Sequence, residues 1–506
     1  MLAFVLLAGT GATASASVSI SSKPTRHMVC SLGICTPTAA QANLNVEHLS
    51  KLLARSNVRV VADSRAIDMK VINSVMWTSD SQLTLDSYSS IVIDAPVTIV
   101  GEGGLTLTTN DGGTAGDFSF SKKGRIEFRN TSSALVINRN NYTLANSIAM
   151  LAELISMNDL GYYALAGNYD AKPDGIYTST PIQQLNGVFE GLGNRISNLK
   201  VRDSASGEVG LIGTLWGATI RDVELESATV TGTTTSGFSH DVGTLVGYSD
   251  EGSIINTSAT GKTTGGGGYV YVGGLVGHDR GTVTNCRAGV LVKIVGQNGG
   301  FAGGLAGTLD SGTVTSLSSA TGAVNAGKYG SAGGLGGWNL GIISQSYAMG
   351  NVSGRSDQQL AIGGLVAQNS GGLLENSYST GIVSADQEMT GGMVGDNSPY
   401  SGTNGTIAAS YSIGLVQGGA TGLTGGLIGN DLSPPNSISD SYWDLDTSGI
   451  SNPSQGAGSP ANDPGITGLT DAQLRSGLPA GFDPGIWGQS PSINNGYPYL
   501  LANPPQ

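Results

Sequence analysis

Three short stretches of the sequence carry residue types that could do chemistry. In the first, Asp444 and Asp446 lie two residues apart, so on an extended strand their carboxylates face the same side, roughly 6.5–7 Å apart, a separation that suits glycoside hydrolysis. Together with Ser448 they also match the start of a calcium-binding loop, but the twelfth position is Gln455 instead of a bidentate glutamate. The calcium match is incomplete, and we favour a turn in which the aspartates bond their own backbone.

The second stretch is Gly-His-Asp-Arg at 277–280, which is similar to the histidine motif of pectin-degrading hydrolases. Equivalent positions in neighbouring repeats hold many different side chains in place of His278. They are Thr214, Tyr248, Thr308, Trp338, Gln368, Asp396 and Asn430. This variety favours a tolerant turn position over a catalytic one. His27, His48 and His240 have no recognisable partners and no metal-ligand spacing occurs, so we expect neither a metal nor a cofactor.

The third set of reactive residues is the three cysteines. Cys30 and Cys35 can close a short disulfide loop if the protein is exported. Cys286 falls in a column where later repeats have serine, at Ser346, Ser377, Ser410 and Ser441. Cys286 is therefore expected to fill a small stacked position instead of acting as a nucleophile.

Composition limits the classes of function. The chain has 506 residues, of which 79 are glycine, and its 24 Lys+Arg against 37 Asp+Glu give a net charge of −13. Nucleic-acid binding needs clustered basic residues, so it is excluded as a function. The length exceeds one ordinary compact core and indicates several domains or an extended stack of repeats.

The first residues are typical of an export signal. An apolar run from Leu2 to Ala8 is followed by small residues, which predicts a secretory signal peptide over 1–16 and a secreted or cell-surface protein. Residues 17–40 are expected to form a low-complexity lead. No apolar run reaches the ~20 residues of a transmembrane helix, so none is predicted.

A Gly-Gly-Leu-Val-Gly phrase recurs through the middle of the chain. Its central apolar residues are the expected structural anchors, 28 to 34 residues apart: Leu211, Leu245, Leu275, Leu305, Leu335, Leu365, Met393 and Leu427. A repeat of this period indicates a stacked array, here over 189–449. Glycine allows a sharp corner and a close approach of neighbouring coils, whereas this glycine density would destabilise a helix.

A second repeated piece carries a column of tyrosines. The column holds Tyr347, Tyr378, Tyr411 and Tyr442, preceded in earlier repeats by Ser258, Arg287 and Ser319. In stacked coils such residues lie about 4.8 Å apart and form a ladder. The rings could offer a platform for sugars or face inward, and we favour the inward ladder because the flanking Ser and Thr are typical of outward positions.

These patterns predict an all-β fold, a right-handed parallel β-helix of roughly 30-residue glycine-rich repeats with short helical insertions. Residues 41–145 are expected to form the N-terminal rungs, with a helix from Val46, and 146–188 a connection with a helix over Ile148–Met157. Residues 450–506 are expected to be a linker and an aromatic C-terminal cap over the last rung, with Thr470 as a helix N-cap.

The repeat phrase resembles the GLUG repeat of large bacterial surface proteins. "SSIVIDAPVTIVGEGGLTLTTN", "YYALAGNYDA" and "SDSYWDLDTSG" are similar to segments of filamentous-haemagglutinin-type adhesins, and the resemblance covers roughly 41–506. It implies a β-helical adhesin whose partners are cell-surface glycans or proteins, and an outer-membrane transporter for its export. The Asn-Pro-Asn-Gly motif that such transporters recognise does not occur in this sequence.

Three functions are compatible with this sequence. The favoured one is a non-enzymatic adhesin that presents an extended surface to cells, glycans or copies of itself. The alternatives are a polysaccharide-active lyase or hydrolase that uses Asp444, Asp446 or His278, and a passive structural stalk.

Overall fold

The computed structural model describes residues 16–505 except 114, 122, 235–238, 297–298, 356–359, 387 and 420–422. The chain divides into two compact units, Met1–Leu144 and Ala145–Gln506. Residues 1–15 of the predicted signal peptide lie outside the described part of the chain.

The fold is a β-solenoid built of mostly parallel sheets with few helices, which confirms the predicted class. The predicted helices are present. They are Val46–Leu53, Ile148–Met157 and Asp471–Leu474, with two short 3-10 turns at Lys172–Asp174 and Asn494–Gly496. Thr470 caps the third helix in a reciprocal capping box with Gln473, because its hydroxyl accepts from the Gln473 amide while the Gln473 side chain accepts from the Thr470 amide.

The first unit contains three sheets. One consists of Ser17–Ser21, Gln41–Asn45, Asp68–Val71, Ile91–Ile93 and Phe118–Phe120, and a second of Val75–Trp77, Val97–Ile99 and Ile126–Phe128. The third contains Met28–Ser31, Ile34–Pro37, Val58–Ala62, Leu83–Ser87, Leu105–Thr108, Leu135–Ile137 and Asn140–Ala145. Alternating Val, Ile and Leu side chains fill the interior, as period-2 strands require.

Residues 17–40 are more ordered than the low-complexity prediction. They form three strands. In the first, Ser17–Ser21, Val18 and Ile20 alternate with serines and bury their side chains. The remaining two strands form a hairpin in which Cys30 and Cys35 are directly paired and joined by a disulfide. The hairpin tip leaves the Leu32 side chain fully exposed.

The second unit has three long sheets, here named A, B and C in the order in which each coil passes through them. Sheet A contains Glu208–Val209, His240–Val242, Val270–Gly273, Gly300–Gly303, Gly330–Gly333, Ala361–Gly363, Met389–Gly391 and Thr424–Gly425. Sheet B contains Tyr162–Leu165, Ile182–Leu185, Val188–Glu190, Ile212–Trp216, Thr219–Arg221, Val246–Ile255, Val276–Thr284, Ala306–Leu309, Val314–Ser316, Gly336–Asn339, Ile342–Ser344, Val366–Ser370, Leu373–Glu375, Val394–Ser398, Thr406–Ala408, Ile428–Asp431, Ile438–Ser439 and Ala457–Ser459.

Sheet C completes each coil. It contains Tyr169–Asp170, Arg195–Ser197, Lys200–Asp203, Glu224–Gly232, Ser258–Gly266, Arg287–Val295, Ser319–Ala320, Val324–Asn325, Tyr347–Ala348, Val352–Ser353, Tyr378–Ser379, Val383–Ser384, Tyr411–Ser412, Val416–Gln417, Ser441–Asp444 and Ile466–Leu469. Near the C-terminus, Trp487–Gly488 and Tyr499–Leu500 form a separate antiparallel pair.

The Gly-Gly-Leu phrase forms the corner between sheets A and B. All eight anchor residues are fully buried, and each anchor amide bonds the anchor carbonyl of the next coil in a ladder from Leu245 to Leu427. The glycine that opens the corner has no room for a side chain. A Cβ at Gly303 would overlap the carbonyl oxygen of Ala306 and lie 2.7 Å from the Gly337 amide nitrogen.

The corner between sheets B and C uses a different device. It places one residue per coil in the left-handed region, for example Asn285 and Asn376, and the next residue is small and buried. Ser346 is one of these small residues: its hydroxyl donates to the Ser344 carbonyl and accepts from the Ser318 amide of the preceding coil. Cys286 occupies this serine column, and burial raises the pKa of its thiol to about 12, so the thiol is protonated at neutral pH.

Inside sheet B, a polar ladder crosses four coils. The side-chain amide of Asn339 donates to Asn369, Asn369 donates to Asn397, and Asn397 donates to Asp431, over 2.8, 2.8 and 2.9 Å. All four side chains are buried. Because Asn369 and Asn397 each donate to one neighbour and accept from the other, the ladder satisfies polar groups that would otherwise be costly in the core.

The tyrosine column differs from the predicted inward ladder. Tyr347, Tyr378 and Tyr411 stack in parallel with ring centroids 4.9 and 5.2 Å apart, but they face away from the solenoid interior. The interior position beside them admits only a small residue such as Ala348, because a Cβ on Gly334 would lie 2.8 Å from the Ala348 Cβ. A tyrosine does not fit there.

The C-terminal segment covers that column along the side of the stack, whereas the sequence suggested a cover for the last rung. Trp487 packs on Tyr378 and Tyr411 and donates to Asn376. Further along, the buried Asn503 side chain donates to the Ser318 carbonyl at 3.1 Å. The segment therefore runs across several coils, and its aromatic residues bury the tyrosine ladder.

Candidate functional site

The aspartate pair singled out in the sequence forms a turn. Asp444 is buried, and one carboxylate oxygen accepts from the Asp446 and Thr447 amides at 2.8 and 3.1 Å. Asp446 accepts from the Asp471 amide at 2.9 Å, and the Ser448 hydroxyl bonds Ile450. These side chains hold the turn that leads to the C-terminal segment. Within the described ranges, no group of three or more His, Cys, Asp or Glu side chains has the arrangement of a metal site.

His278 lies in a cluster of charged residues on the outer surface. Its Nδ1 is 3.7 Å from an Asp241 carboxylate oxygen on sheet A, and its Nε2 is 3.2 Å from an Asp310 oxygen in the loop that follows the next sheet B strand. Arg280 pairs with Asp310 and with Asp250, each at 3.4 Å. We call these five residues the acid–histidine cluster.

Burial and charge oppose each other in this cluster. Burial by itself lowers the pKa of His278, but the flanking carboxylates of Asp241 and Asp310 outweigh it and raise the pKa to about 9. Burial raises the pKa of Asp241, and the neighbouring His278 offsets part of this change. Beneath the cluster, full burial raises the pKa of Asp279 to about 7. His278 is therefore an imidazolium at neutral pH, held between two carboxyl groups.

Aromatic rings extend from the cluster along the axis of the stack. Trp216 meets Tyr248 with ring centroids 6.0 Å apart, and Tyr248 meets His278 at 5.0 Å. On the other side, Tyr271 lies 5.3 Å from His278 and stacks on Phe301 at 6.2 Å.

Beyond these rings, the aromatic series continues over later coils. Phe301 stacks on Trp338 at 5.4 Å, and Trp338 meets Tyr400 edge to face at 5.9 Å. Tyr269 packs edge-on against both Tyr271 and Phe301. We call Trp216, Tyr248, Tyr269, Tyr271, Phe301, Trp338 and Tyr400 the aromatic strip.

The backbone explains why residues from two sheets meet here. Tyr271 and Phe301 are paired on sheet A, while His278, Thr308 and Trp338 follow one another in register on sheet B. Glycines on sheet B, such as Gly337, lie directly against sheet A, where a Cβ would sit 2.8 Å from that of Phe301. Because the two sheets approach so closely here, outward side chains beside these glycines, such as Phe301 on sheet A and Trp338 on sheet B, are in contact.

The sequence identified His278 and its column but not its partners. Asp241 and Asp310 lie on other coils, and Tyr271 and Phe301 belong to another sheet. Repeat alignment gives the order of residues within one sheet, whereas the contact between sheets depends on the corner geometry. The aromatic side chains clustered before the Gly-Gly phrase at 269–271 and 301 were the available signal.

In the part of the chain that the structure covers, no helix has the length and apolar character needed to cross a bilayer.

Comparisons with known proteins give a repeat family, one similar curated protein and one solved structure of low similarity. The family model "The GLUG motif" matches residues 358–384, so the chain carries GLUG repeats on a β-solenoid. Halomucin from Haloquadratum walsbyi is 31% identical over an alignment 325 residues long, which covers 59% of this chain and 3% of halomucin. A crystal structure of a candidate immunoglobulin A1 protease from Bacteroides ovatus is 19% identical, with a TM-score of 0.37, over 72% of this chain and 92% of that one. A TM-score at this level does not establish a common fold.

Proposed function

We propose that this protein is an exported, non-enzymatic adhesin-like β-solenoid that acts in the secreted state or on the bacterial cell surface. The observation that carries the proposal is the contrast between its inner and outer columns. The buried anchor position is leucine in seven coils and methionine in one, whereas the outward column that contains His278 changes from coil to coil. A constant interior with a variable exterior is suited to presenting an extended binding surface.

The state of the reactive side chains supports a non-enzymatic role. His278 is protonated at neutral pH, which makes it unsuited to accept a proton as a general base. Asp444 and Asp446 are engaged by backbone amides that hold a turn.

The repeat type supports the surface assignment. The chain carries the GLUG motif and is similar over part of its length to halomucin, itself far longer than the matched region. Together with the export-like residues 1–16 and the adhesin-like segments in the sequence, this favours the filamentous-haemagglutinin-type adhesins. The partners we propose are glycans or proteins of cell surfaces, and an outer-membrane transporter for export.

Attachment of protein-coated particles tests this function. Beads that carry the full chain at several densities are mixed with bacterial and epithelial cells, and with each other, and bound beads are counted against albumin-coated beads. An adhesin gives attachment that rises with density. Equal counts on both bead types would contradict the proposal and leave the passive stalk. Shortening of soluble polysaccharides during incubation, measured by size-exclusion chromatography, would instead support the enzyme alternative.

A further inference from the structure

We propose that the aromatic strip and the acid–histidine cluster form one binding site for a neutral polysaccharide chain that lies along the solenoid axis. The inference rests on the proposed adhesive function and names the class of ligand that this face would bind. Four features of the molecule support it: the placement of exposed rings, their rigid support, polar groups without protein partners, and the local charge.

The exposed aromatic side chains are concentrated on this face. Among the described residues, four aromatic side chains are exposed: Tyr162, Trp216, Tyr269 and Tyr400. Three of them belong to the aromatic strip, with exposed fractions of 46% for Trp216, 42% for Tyr269 and 48% for Tyr400. These rings are spread along the stack from the strand Ile212–Trp216 to the strand Val394–Ser398, which precedes Tyr400. The two strands are six coils apart, and at about 4.8 Å per coil the distance along the axis is roughly 29 Å. This length accommodates several sugar rings of an extended chain.

The exposed rings are held in place by rings that are more buried. Tyr269 lies edge-on against Tyr271 and Phe301, and Tyr400 lies edge-on against Trp338, which itself stacks on Phe301. A ring that is already ordered loses little conformational entropy when a ligand packs on it. Apolar ring faces suit the C–H faces of sugars, and rigid aromatic side chains serve as anchors in other binding surfaces.

Polar atoms in and beside the aromatic strip lack partners inside the protein. The second carboxylate oxygen of Asp241, the hydroxyl of Thr308 and the indole nitrogen of Trp338 make no hydrogen bond to the chain. Asp241 and Thr308 are 8% and 1% exposed, so these groups are withdrawn from bulk solvent. These atoms are covered in this structure, so a ligand hydroxyl would reach them only after the side chains above them shift; a ligand rich in hydroxyl groups would then satisfy them, which a purely apolar partner cannot do.

The charge of the site selects a neutral polymer. Three carboxyl groups, on Asp241, Asp250 and Asp310, face the two cations His278 and Arg280. Both cations are already paired, and the whole chain has a net charge of −13, so a polyanion would be repelled. Aspartate and arginine side chains at such a site can still orient sugar hydroxyls by charge-assisted hydrogen bonds.

Affinity gel electrophoresis of the full chain tests the inference. Native gels are cast with one soluble polymer each: hydroxyethyl cellulose, mixed-linkage β-glucan, xyloglucan or galactomannan as neutral probes, and polygalacturonate or alginate as anionic probes. We expect retardation by at least one neutral polymer and by neither anionic one. The triple variant Trp216→Ala, Tyr269→Ala, Tyr400→Ala should bind that polymer at least about tenfold more weakly.

Tyr162→Ala is the matched control, because it removes an exposed ring outside the strip and should leave the retardation unchanged. The three strip substitutions remove half-exposed rings, and an unchanged circular-dichroism spectrum would show that the variant keeps its fold. The inference is overturned if no neutral polymer retards the protein, if only the anionic polymers do, or if the triple variant binds as the wild type does.

The result separates this inference from the proposed function. Beads coated with the wild type and with the triple variant are compared on cells. If wild-type and variant beads attach equally to cells and no neutral polymer is bound, the adhesive function is supported and the polysaccharide site is contradicted. If a neutral polymer binds through the aromatic strip and no bead attaches to cells, the polysaccharide site is supported and the adhesive function is contradicted.

Discussion

Raising the pH should destabilise the second unit through His278. The folded-state pKa of this histidine is about 9, above the unfolded value of 6.5, because Asp241 and Asp310 stabilise its charged form. A group whose pKa is raised on folding stabilises the folded state fully below its unfolded pKa. That contribution is lost as the pH rises through the folded pKa. Stability should therefore fall between about pH 6.5 and pH 9.

The size of the effect follows from proton linkage. In a window where the folded state holds one proton more than the unfolded state, the free energy of unfolding falls by about 1.4 kcal/mol per pH unit. From about pH 7.5 to pH 9 the expected loss is about 1.5 kcal/mol, because the slope halves as the folded histidine reaches its pKa. The buried Asp279, whose pKa is about 7, also destabilises the fold as it ionises, but its effect is nearly complete by pH 7.5. His278 is therefore expected to supply most of the change across the chosen window.

Urea unfolding followed by circular dichroism at several pH values would measure this slope. The wild type should lose stability across the window, whereas His278→Gln should be less stable at pH 7.5 and should depend less steeply on pH up to 9. Nuclear magnetic resonance of the histidine ring carbons gives an independent value, since the His278 signal is absent from the variant. Parallel pH profiles for the two proteins, or a His278 titration midpoint at or below 6.5, would refute the reasoning.

Three further predictions concern the scaffold and are measured by urea unfolding. Asn369→Ala removes the ladder acceptor of the Asn339 side chain and the ladder donor to the Asn397 carbonyl oxygen, so it should cost about 2–4 kcal/mol. The adjacent outward Gln368→Ala should change stability by less than about 0.5 kcal/mol. Trp487→Ala should cost about 3–5 kcal/mol and expose the tyrosine column to fluorescence quenchers; an unchanged midpoint would mean that the C-terminal segment adds no stability. Gly303→Ala should destabilise by about 3 kcal/mol because its methyl group meets backbone atoms, while Gly207→Ala, with nothing within 4 Å, serves as its control.

The spacing of the repeats was enough to predict the class of fold. Coils of near-constant length bury the same position every time, so Leu275 and its equivalents could be identified as interior residues from their period. The helix at Ile148–Met157 and the N-cap at Thr470 follow from local rules of periodicity and capping, which need no knowledge of tertiary contacts.

The direction of the tyrosine column could not be predicted in the same way. The choice between inside and outside at Tyr378 depends on how closely the glycine corner approaches the opposite strand, and that distance is a property of the folded coil. At Gly364, a Cβ would lie 3.0 Å from the Ser379 hydroxyl, so a tyrosine is too large for the interior and must face outward. The burial of Tyr378 then depends on the C-terminal segment, more than one hundred residues away. There Trp487 packs on Tyr378, and its indole nitrogen donates a hydrogen bond to the Asn376 side chain.

The same separation of inner and outer columns explains why the candidate site spans several coils. Residues such as Leu305 and Leu335 must be alike because each packs on the next, so the interior restricts which residues a coil can carry. Outward positions face no such restriction, and His278, Thr308 and Trp338 follow one another in register without any common chemistry. A binding face assembled this way takes one or two side chains from each coil. Its specificity is thus set by the order of the coils, and a ligand that matches it must be extended along the axis.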